Sequence, residues 1–323
     1  MKKDCSKKIN GEFKNKSIIS LEQFDPKSLQ TLFSTIEKIK KRIHKKGNFT
    51  PLLRTVTTLL FFEPSSRTFS SFSVAVKRLG GSTLEYQNPL QTSSVVKGET
   101  IEDTLHVFSN YSDLIIIRHP EKGTAQKAAS LGLKTPIISA GDGIGEHPTQ
   151  ALMDMYTIYS HFGKLNNICG LFAGDLLYGR TVHSLIKGLA FYPNNHLYLL
   201  SPKELRLEPG LKKELSKSGI KITEIYDEND IPNNCQFWYW TRVQKERFND
   251  LKQYEKVKNR FVITPRLVQK KGNNKMIIMH PLPRVGEIDT RIDSDPRAIY
   301  LTEQLQNGVY TRMALLSLVL GKL

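Results

Sequence analysis

A chain of 323 residues has room for two domains with cores of their own. Its 39% hydrophobic and 24% charged residues predict a globular protein, and no apolar run reaches membrane-spanning length, so no membrane partner is expected. The net charge of +16 invites a nucleic-acid reading, yet through Thr50 alone 13 Lys and Arg face 5 Asp and Glu. Half the excess therefore sits on a lysine-rich head and one helix face (Lys38, Lys40, Lys41, Lys45, Lys46). Without a basic-aromatic RNA-binding pattern, that distribution predicts a solvated surface and no nucleic-acid partner.

The first residues carry charge with no apolar segment behind them, so no secretory signal is expected and the predicted location is cytoplasmic. Cys5, Cys169 and Cys235 are odd in number and far apart. That spacing suits neither a disulfide framework nor a metal knuckle, and free thiols are expected.

A first helix is expected over 26–45. Residues 55–62 are β-branched and apolar without a charge, as in a strand covered on both faces of a parallel sheet. Ser65-Ser66-Arg67-Thr68 follows, then Phe72, Val76 and Leu79 at helical spacing, with Gly80-Gly81 as a stop. The turn thus brings two hydroxyls, a guanidinium and a threonine to a helix N-terminus, where unpaired N–H groups favour phosphate. Arg67 adds a fork that matches phosphate oxygens. Taken alone, the same residues read equally well as an ordinary helix cap, worth about 1 kcal/mol, with Arg67 in solvent.

Residues 84–100 read as a long polar loop, with Lys97 just ahead of a helix carrying Ile101, Leu105 and Phe108. By itself a loop lysine reads as solvated. A strand over 114–120 places Arg118 at its C-terminal end, the edge of a parallel sheet where ligands bind. Another strand, 136–140, runs through a glycine-rich turn to His147-Pro148, which opens a helix bearing Leu152, Met155, Tyr156 and Tyr159. His147 alone reads as a capping histidine. Three strand ends now present Arg67, Arg118 and His147 to one side.

A second series begins at 168. Leu171-Phe172-Ala173 enters Gly174-Asp175-Leu176-Leu177-Tyr178-Gly179-Arg180 and then a helix, with glycine spacing wrong for a dinucleotide fingerprint. Strands are expected over 196–200, 220–225, 237–240 and 276–279, and a helix over 307–320 closes the chain. The fold class expected is α/β, with two doubly wound domains, each a central parallel sheet flanked by helices.

Ser65-Ser66-Arg67-Thr68, Lys97-Gly98-Glu99-Thr100, Arg118-His119-Pro120, His147-Pro148-Thr149-Gln150, Gly179-Arg180-Thr181-Val182-His183-Ser184, Thr241-Arg242-Val243-Gln244-Lys245-Glu246-Arg247 and His280-Pro281-Leu282-Pro283-Arg284 stand in one order. Together they resemble the aspartate carbamoyltransferase family, in particular its bacterial catalytic chain, from about residue 50 onward. The resemblance implies a carbamoyl phosphate domain over 1–147, completed by the terminal helix 301–323, and an aspartate domain over 148–300. It implies that Ser65, Ser66, Arg67 and Thr68 hold the phosphate of carbamoyl phosphate. Arg118, His147 and Thr68 would face the carbonyl oxygen, and Gln150 the carbamoyl amide. Arg180, Arg242 and Gln244 would take the two carboxylates of L-aspartate, with Glu63 and Arg247 orienting them. Leu282-Pro283, with a cis peptide bond, would line the pocket through main-chain carbonyls.

The resemblance further implies a homotrimer in which Ser93 and Lys97 reach into the neighbouring subunit's site. It allows zinc-bearing regulatory chains in a larger assembly. It implies no cofactor and no catalytic metal, since the leaving phosphate can accept the amine proton. The sequence departs from the family pattern at Ser66, which stands for a threonine, and at Phe69, which stands for an arginine. Trp238 and Trp240 replace smaller aliphatics, and residues 248–254 differ from the usual closing loop. An ornithine carbamoyltransferase is disfavoured because that family carries a cysteine where Pro281 stands. A basic binding protein on an inactive scaffold is opposed by the complete set of Arg67, Lys97, Arg118, His147, Arg180, Arg242 and Gln244.

Overall fold

The computed structural model describes residues 8–46, 49–88, 98–143, 145–248 and 250–323. They form two compact units, Met1–Met153 with Asn307–Leu323, and Asp154–Gln306. The first contains α1 (Pro26–Lys46), β1 (Val56–Phe61), α2 (Ser66–Arg78), β2 (Ser82–Gln87), α3 (Ile101–Tyr111), β3 (Leu114–His119), α4 (Thr124–Ser130) and β4 (Ile137–Asp142). Its sheet runs in the order β2-β1-β3-β4, and every pairing is parallel. β1, β3 and β4 are apolar and buried because helices cover a parallel sheet on both faces.

The expectation of a loop from residue 84 is corrected by β2, which pairs with β1 from Val56↔Ser82 to Phe61↔Gln87. β2 is an edge strand whose side chains are half-buried or exposed, so its ladder is specified by backbone hydrogen bonds rather than by an apolar run. Ser93 and Lys97 lie outside the described residues.

The chain crosses the division between the units within α5 (Pro148–Phe162). The second unit then builds β5 (Cys169–Ala173), α6 (Arg180–Leu189), β6 (His196–Leu200), α7 (Pro209–Ser216), β7 (Lys221–Ile225), β8 (Phe237–Trp240), α8 (Leu251–Val257), α9 (Pro265–Lys271) and β9 (Ile277–Met279). Its sheet order is β7-β6-β5-β8-β9, again all parallel. The last helix, α10 (Glu303–Val319), starts earlier than the sequence pattern suggested.

β8 shows how the second unit accommodates its aromatics. Trp238 and Trp240 share one face and are wholly buried, 6.1 Å apart between ring centroids, among Leu171, Ala173 and Ala298. Small residues on the neighbouring segments leave the volume that the indoles fill. On the opposite face the Phe237 ring lies over Gly170, where a Cβ would come within 2.2 Å of it. Tyr239 sends its hydroxyl to Asp154 Oδ2 at 2.8 Å. Large and absent side chains thus alternate across adjacent strands, which is how a close-packed interior is reached.

Candidate active site

In each sheet the chain turns one way from its first strand and then the other. The reversal lies between β1 and β3 in the first unit and between β5 and β8 in the second. Carboxyl ends of strands flanking such a reversal form a crevice. In the first unit these ends lead to Ser65-Ser66-Arg67-Thr68 and to Arg118; in the second they lead to Asp175 through Arg180 and to Arg242 through Gln244.

α2 begins with Ser65 at its N-cap, but the Ser65 hydroxyl makes no capping hydrogen bond. Ser65 therefore holds the cap position without its side chain taking part. The first N–H groups of a helix are donors of the kind that suits an anion. Ser66 and Arg67 are exposed, while Thr68 is buried. Phe69 is also buried, edge-on to Phe61 with centroids 5.2 Å apart, so this departure from the family arginine serves the core.

Arg118, only 7% exposed, is fixed by two contacts: Nη1 donates to Ala140 O at 3.1 Å, and Nη2 lies 2.8 Å from Glu63 Oε2. Burial draws its pKa below the ordinary value, and Glu63 opposes that shift. Glu63 thus orients Arg118. The guanidinium also depends on Gly141, whose φ is +127°. A Cβ there would lie 2.6 Å from Arg118 Nη1 and 3.7 Å from His147 Cδ2. Arg118 and the buried His147 therefore flank one bare backbone position at the end of β4. Gln150 N donates to His147 O at 3.0 Å, which sets Gln150 one turn into α5.

In the second unit Arg180 is the first residue of α6. Asp175, wholly buried, joins its loop to the one after β8: Oδ1 accepts from Tyr178 N at 2.9 Å and Oδ2 from Gln244 N at 3.3 Å. The Gln244 amide donates back to Tyr178 O at 2.8 Å. Burial pushes the Asp175 carboxyl up, while these N–H donors and Arg242 pull it down. Glu246 grips both terminal nitrogens of Arg242, with Nη1 to Oε2 at 3.0 Å. That pairing raises the Arg242 pKa against the effect of burial.

Leu282-Pro283 is cis, with Leu282 at φ +56°. Leu282 N donates to His280 Nδ1 at 2.8 Å, so the ring proton belongs on Nε2, which lies 2.8 Å from Glu287 Oε1 along a bent approach. Glu287 in turn accepts from Val285 N at 3.0 Å. Burial keeps His280 neutral by lowering its pKa, although Glu287 opposes that shift.

Each candidate residue on a described segment therefore falls at a strand end or helix start within its own unit. Asp175, Gly141, Glu246 and the His280–Glu287 pair support them, and sequence reasoning assigned none of these a role. Asp175 stood inside a quoted motif; its buried position between two loops was the missing signal. Among the described residues no group of three or more His, Cys, Asp or Glu is arranged to hold a metal ion.

Two family models match the chain. "Aspartate/ornithine carbamoyltransferase, carbamoyl-P binding domain" covers residues 16–160, and "Aspartate/ornithine carbamoyltransferase, Asp/Orn binding domain" covers 166–319. The aspartate carbamoyltransferase catalytic subunit of Thermococcus onnurineus is 42% identical over 312 residues, covering 97% of this chain and 99% of that protein. The chain belongs to the aspartate carbamoyltransferase family. Another relative, the multifunctional protein pyr1-3 of Dictyostelium discoideum, is 45% identical over 95% of this chain, which spans only 14% of that protein's length. An aspartate transcarbamoylase structure from Trypanosoma cruzi, in complex with carbamoyl phosphate and aspartate, has 37% identity and a TM-score of 0.86. It covers 98% of this chain and 99% of its own. Family membership agrees with the two doubly wound α/β units and with Pro281 in the His-x-Leu-Pro segment.

Proposed function

We propose that the protein transfers the carbamoyl group of carbamoyl phosphate to the amine of L-aspartate. The products are N-carbamoyl-L-aspartate and phosphate, an early committed step of de novo pyrimidine synthesis. The observation that carries this reading is the chemistry at the two sheet reversals. One offers an open helix N-terminus with Arg67 and Arg118; the other offers Arg180, Arg242 and Gln244 on loops tied by Asp175. The Trypanosoma cruzi relative binds carbamoyl phosphate and aspartate.

In this reading Ser65, Ser66, Arg67 and Thr68 hold the phosphate, and the carbonyl oxygen meets Thr68, Arg118 and His147. Attack by the aspartate amine turns that carbonyl into a tetrahedral oxyanion. Donors fixed beforehand stabilise the charge as it develops, typically by a few kcal/mol each. Arg118 suits this role because Glu63 and Ala140 O already hold it, so little reorganisation accompanies the reaction. Gln150 addresses the carbamoyl amide, and the main-chain carbonyls of Leu282-Pro283 complete its surroundings. The departing phosphate takes the amine proton, so the scheme requires no nucleophilic side chain.

Arg180, Arg242 and Gln244 bind the aspartate carboxylates. A carboxylate of the substrate would compete with Glu246 for Arg242, which makes recognition an exchange of one fork partner for another. A cytoplasmic location and a homotrimer with Ser93 and Lys97 supplied by a neighbour belong to the same reading, as does room for regulatory chains. The test is turnover of carbamoyl phosphate with L-aspartate, read as carbamoyl aspartate and phosphate in equal amounts, with ornithine as the control acceptor. Turnover with ornithine in preference to aspartate would overturn the substrate assignment.

A further inference from the structure

Cys169 and Cys235 are far apart in the chain, yet their sulfur atoms lie 3.7 Å apart in the second unit. Their proximity is built by the sheet. Cys169 opens β5, and its O accepts from Gln236 N at 2.7 Å while its N donates to Gln236 Oε1 at 3.0 Å. Cys235 precedes that glutamine, and its own O accepts from Asn273 Nδ2 at 2.7 Å. One backbone bond and two side-chain amides therefore hold the two thiols face to face at the amino ends of β5 and β8.

We propose that Cys169 and Cys235 form a site of reversible oxidation, closing to an intramolecular disulfide when a hydroperoxide reaches Cys169 and reopening with a dithiol. A disulfide bond is about 2.05 Å long, so the sulfurs must approach by roughly 1.7 Å, a movement on the scale of side-chain adjustment. Their exposure sets the order of events. Cys169 is partly exposed, whereas Cys235 is 1% exposed and belongs to the core around Trp238. Contact with Cys235 favours a thiolate on Cys169, while the same contact and burial push the Cys235 thiol up. The thiolate is the reactive form.

The Cys169 thiolate attacks one oxygen of the hydroperoxide and the O–O bond breaks. The other oxygen leaves with its electron pair and takes a proton. Cys169 is oxidised by two electrons to a sulfenic acid, and the peroxide is reduced. The Cys235 sulfur then attacks Cys169 sulfur; the S–S bond forms as the S–O bond breaks, and hydroxide leaves with the Cys235 proton as water. A dithiol reverses the bridge by thiol–disulfide exchange.

The experiment treats the full chain with hydrogen peroxide, alkylates it under denaturing conditions and maps the peptides by mass spectrometry. Expected is the loss of two of the three alkylatable thiols, a cross-linked pair of peptides carrying Cys169 and Cys235, and full recovery with dithiothreitol. Cys235→Ser should leave Cys169 as a sulfenic acid trapped by dimedone, and Cys169→Ser should leave Cys235 reduced. Three alkylatable thiols after treatment, or Cys169 bridged to another chain, would overturn the proposal. The readout is mass, so it is independent of whether the chain turns over aspartate.

Discussion

Asp175 and Gln244 are 69 residues apart in the chain, and the buried carboxylate of the first accepts the backbone N–H of the second at 3.3 Å. The other oxygen accepts from Tyr178 N, so one carboxylate ties the loop of Arg180 to the loop of Arg242. Asp175→Asn keeps one carbonyl oxygen and turns an amide donor toward a second donor. Leaving one N–H unpaired costs about 1–3 kcal/mol, so KM for aspartate should rise roughly 5- to 150-fold. Phosphate affinity, measured by calorimetry, should hold within twofold of wild type, a bound set by the placement of Asp175 in the second unit. An equal loss for both ligands would contradict a role confined to that unit.

Gly141→Ala tests how Arg118 is held. The added Cβ would meet Arg118 Nη1 at 2.6 Å, and the backbone at φ +127° disfavours any side chain. A misplacement of about 1 Å costs on the order of 100-fold in rate. The expected outcome is a fall in kcat of that size in a protein that remains folded by circular dichroism. Unchanged kcat would show that Arg118 does not act on the substrate.

The strands of the first unit were legible where burial demanded an unbroken apolar run, as in Leu114-Ile115-Ile116-Ile117 of β3. β2 was not, because Ser82 to Gln87 lies at an edge and its ladder leaves little trace in composition. The short helices α4, α7, α8 and α9 also escaped, since one or two turns give too few repeats to define a face. Arg67, Arg118, His147, Arg180, Arg242 and Gln244 were singled out by the order of motifs, and each falls at a strand end or a helix start. Asp175 and Gly141 act through Gln244 and Arg118, which are distant in sequence, and only the strand order brings those neighbours together. The same holds for Cys169 and Cys235, whose wide spacing suggested unrelated thiols.

Acid should weaken the second unit through His280 and Glu287. Burial holds His280 below its ordinary 6.5, so the unfolded chain takes up that proton first and stability falls as pH drops below about 6.5. Burial pushes Glu287 up, but hydrogen bonds from His280 and backbone N–H groups outweigh it, leaving its pKa below the ordinary 4.5. Its contribution is present above 4.5 and is lost as pH falls through the folded value. Both effects have the same sign. Melting temperature should therefore decline from pH 7 to pH 5, and His280→Gln should show a shallower decline. A slope unaltered by the substitution would remove His280 as the cause.

Lys97→Ala and Arg67→Ala should each be inactive as pure proteins, with folds retained. In a closed cyclic oligomer with shared sites, dissociating and reassembling an equal mixture leaves about one quarter of sites with both residues intact. Activity should return to roughly that fraction of wild type. Assemblies verified to contain both variants, yet inactive while reassembled wild type recovers, would place Lys97 within its own subunit's chemistry or outside it altogether.

The central claim is a division of labour: the first unit holds carbamoyl phosphate and the second holds aspartate. The most direct measurement is the pair of equilibrium and steady-state constants for Arg67→Ala and Arg242→Ala. Arg67→Ala should lose carbamoyl phosphate binding and turnover. Arg242→Ala should raise KM for aspartate by more than about tenfold, the loss expected for a charged hydrogen-bond partner, while carbamoyl phosphate binds nearly as in wild type. Equal weakening of both substrates by either substitution would contradict the division.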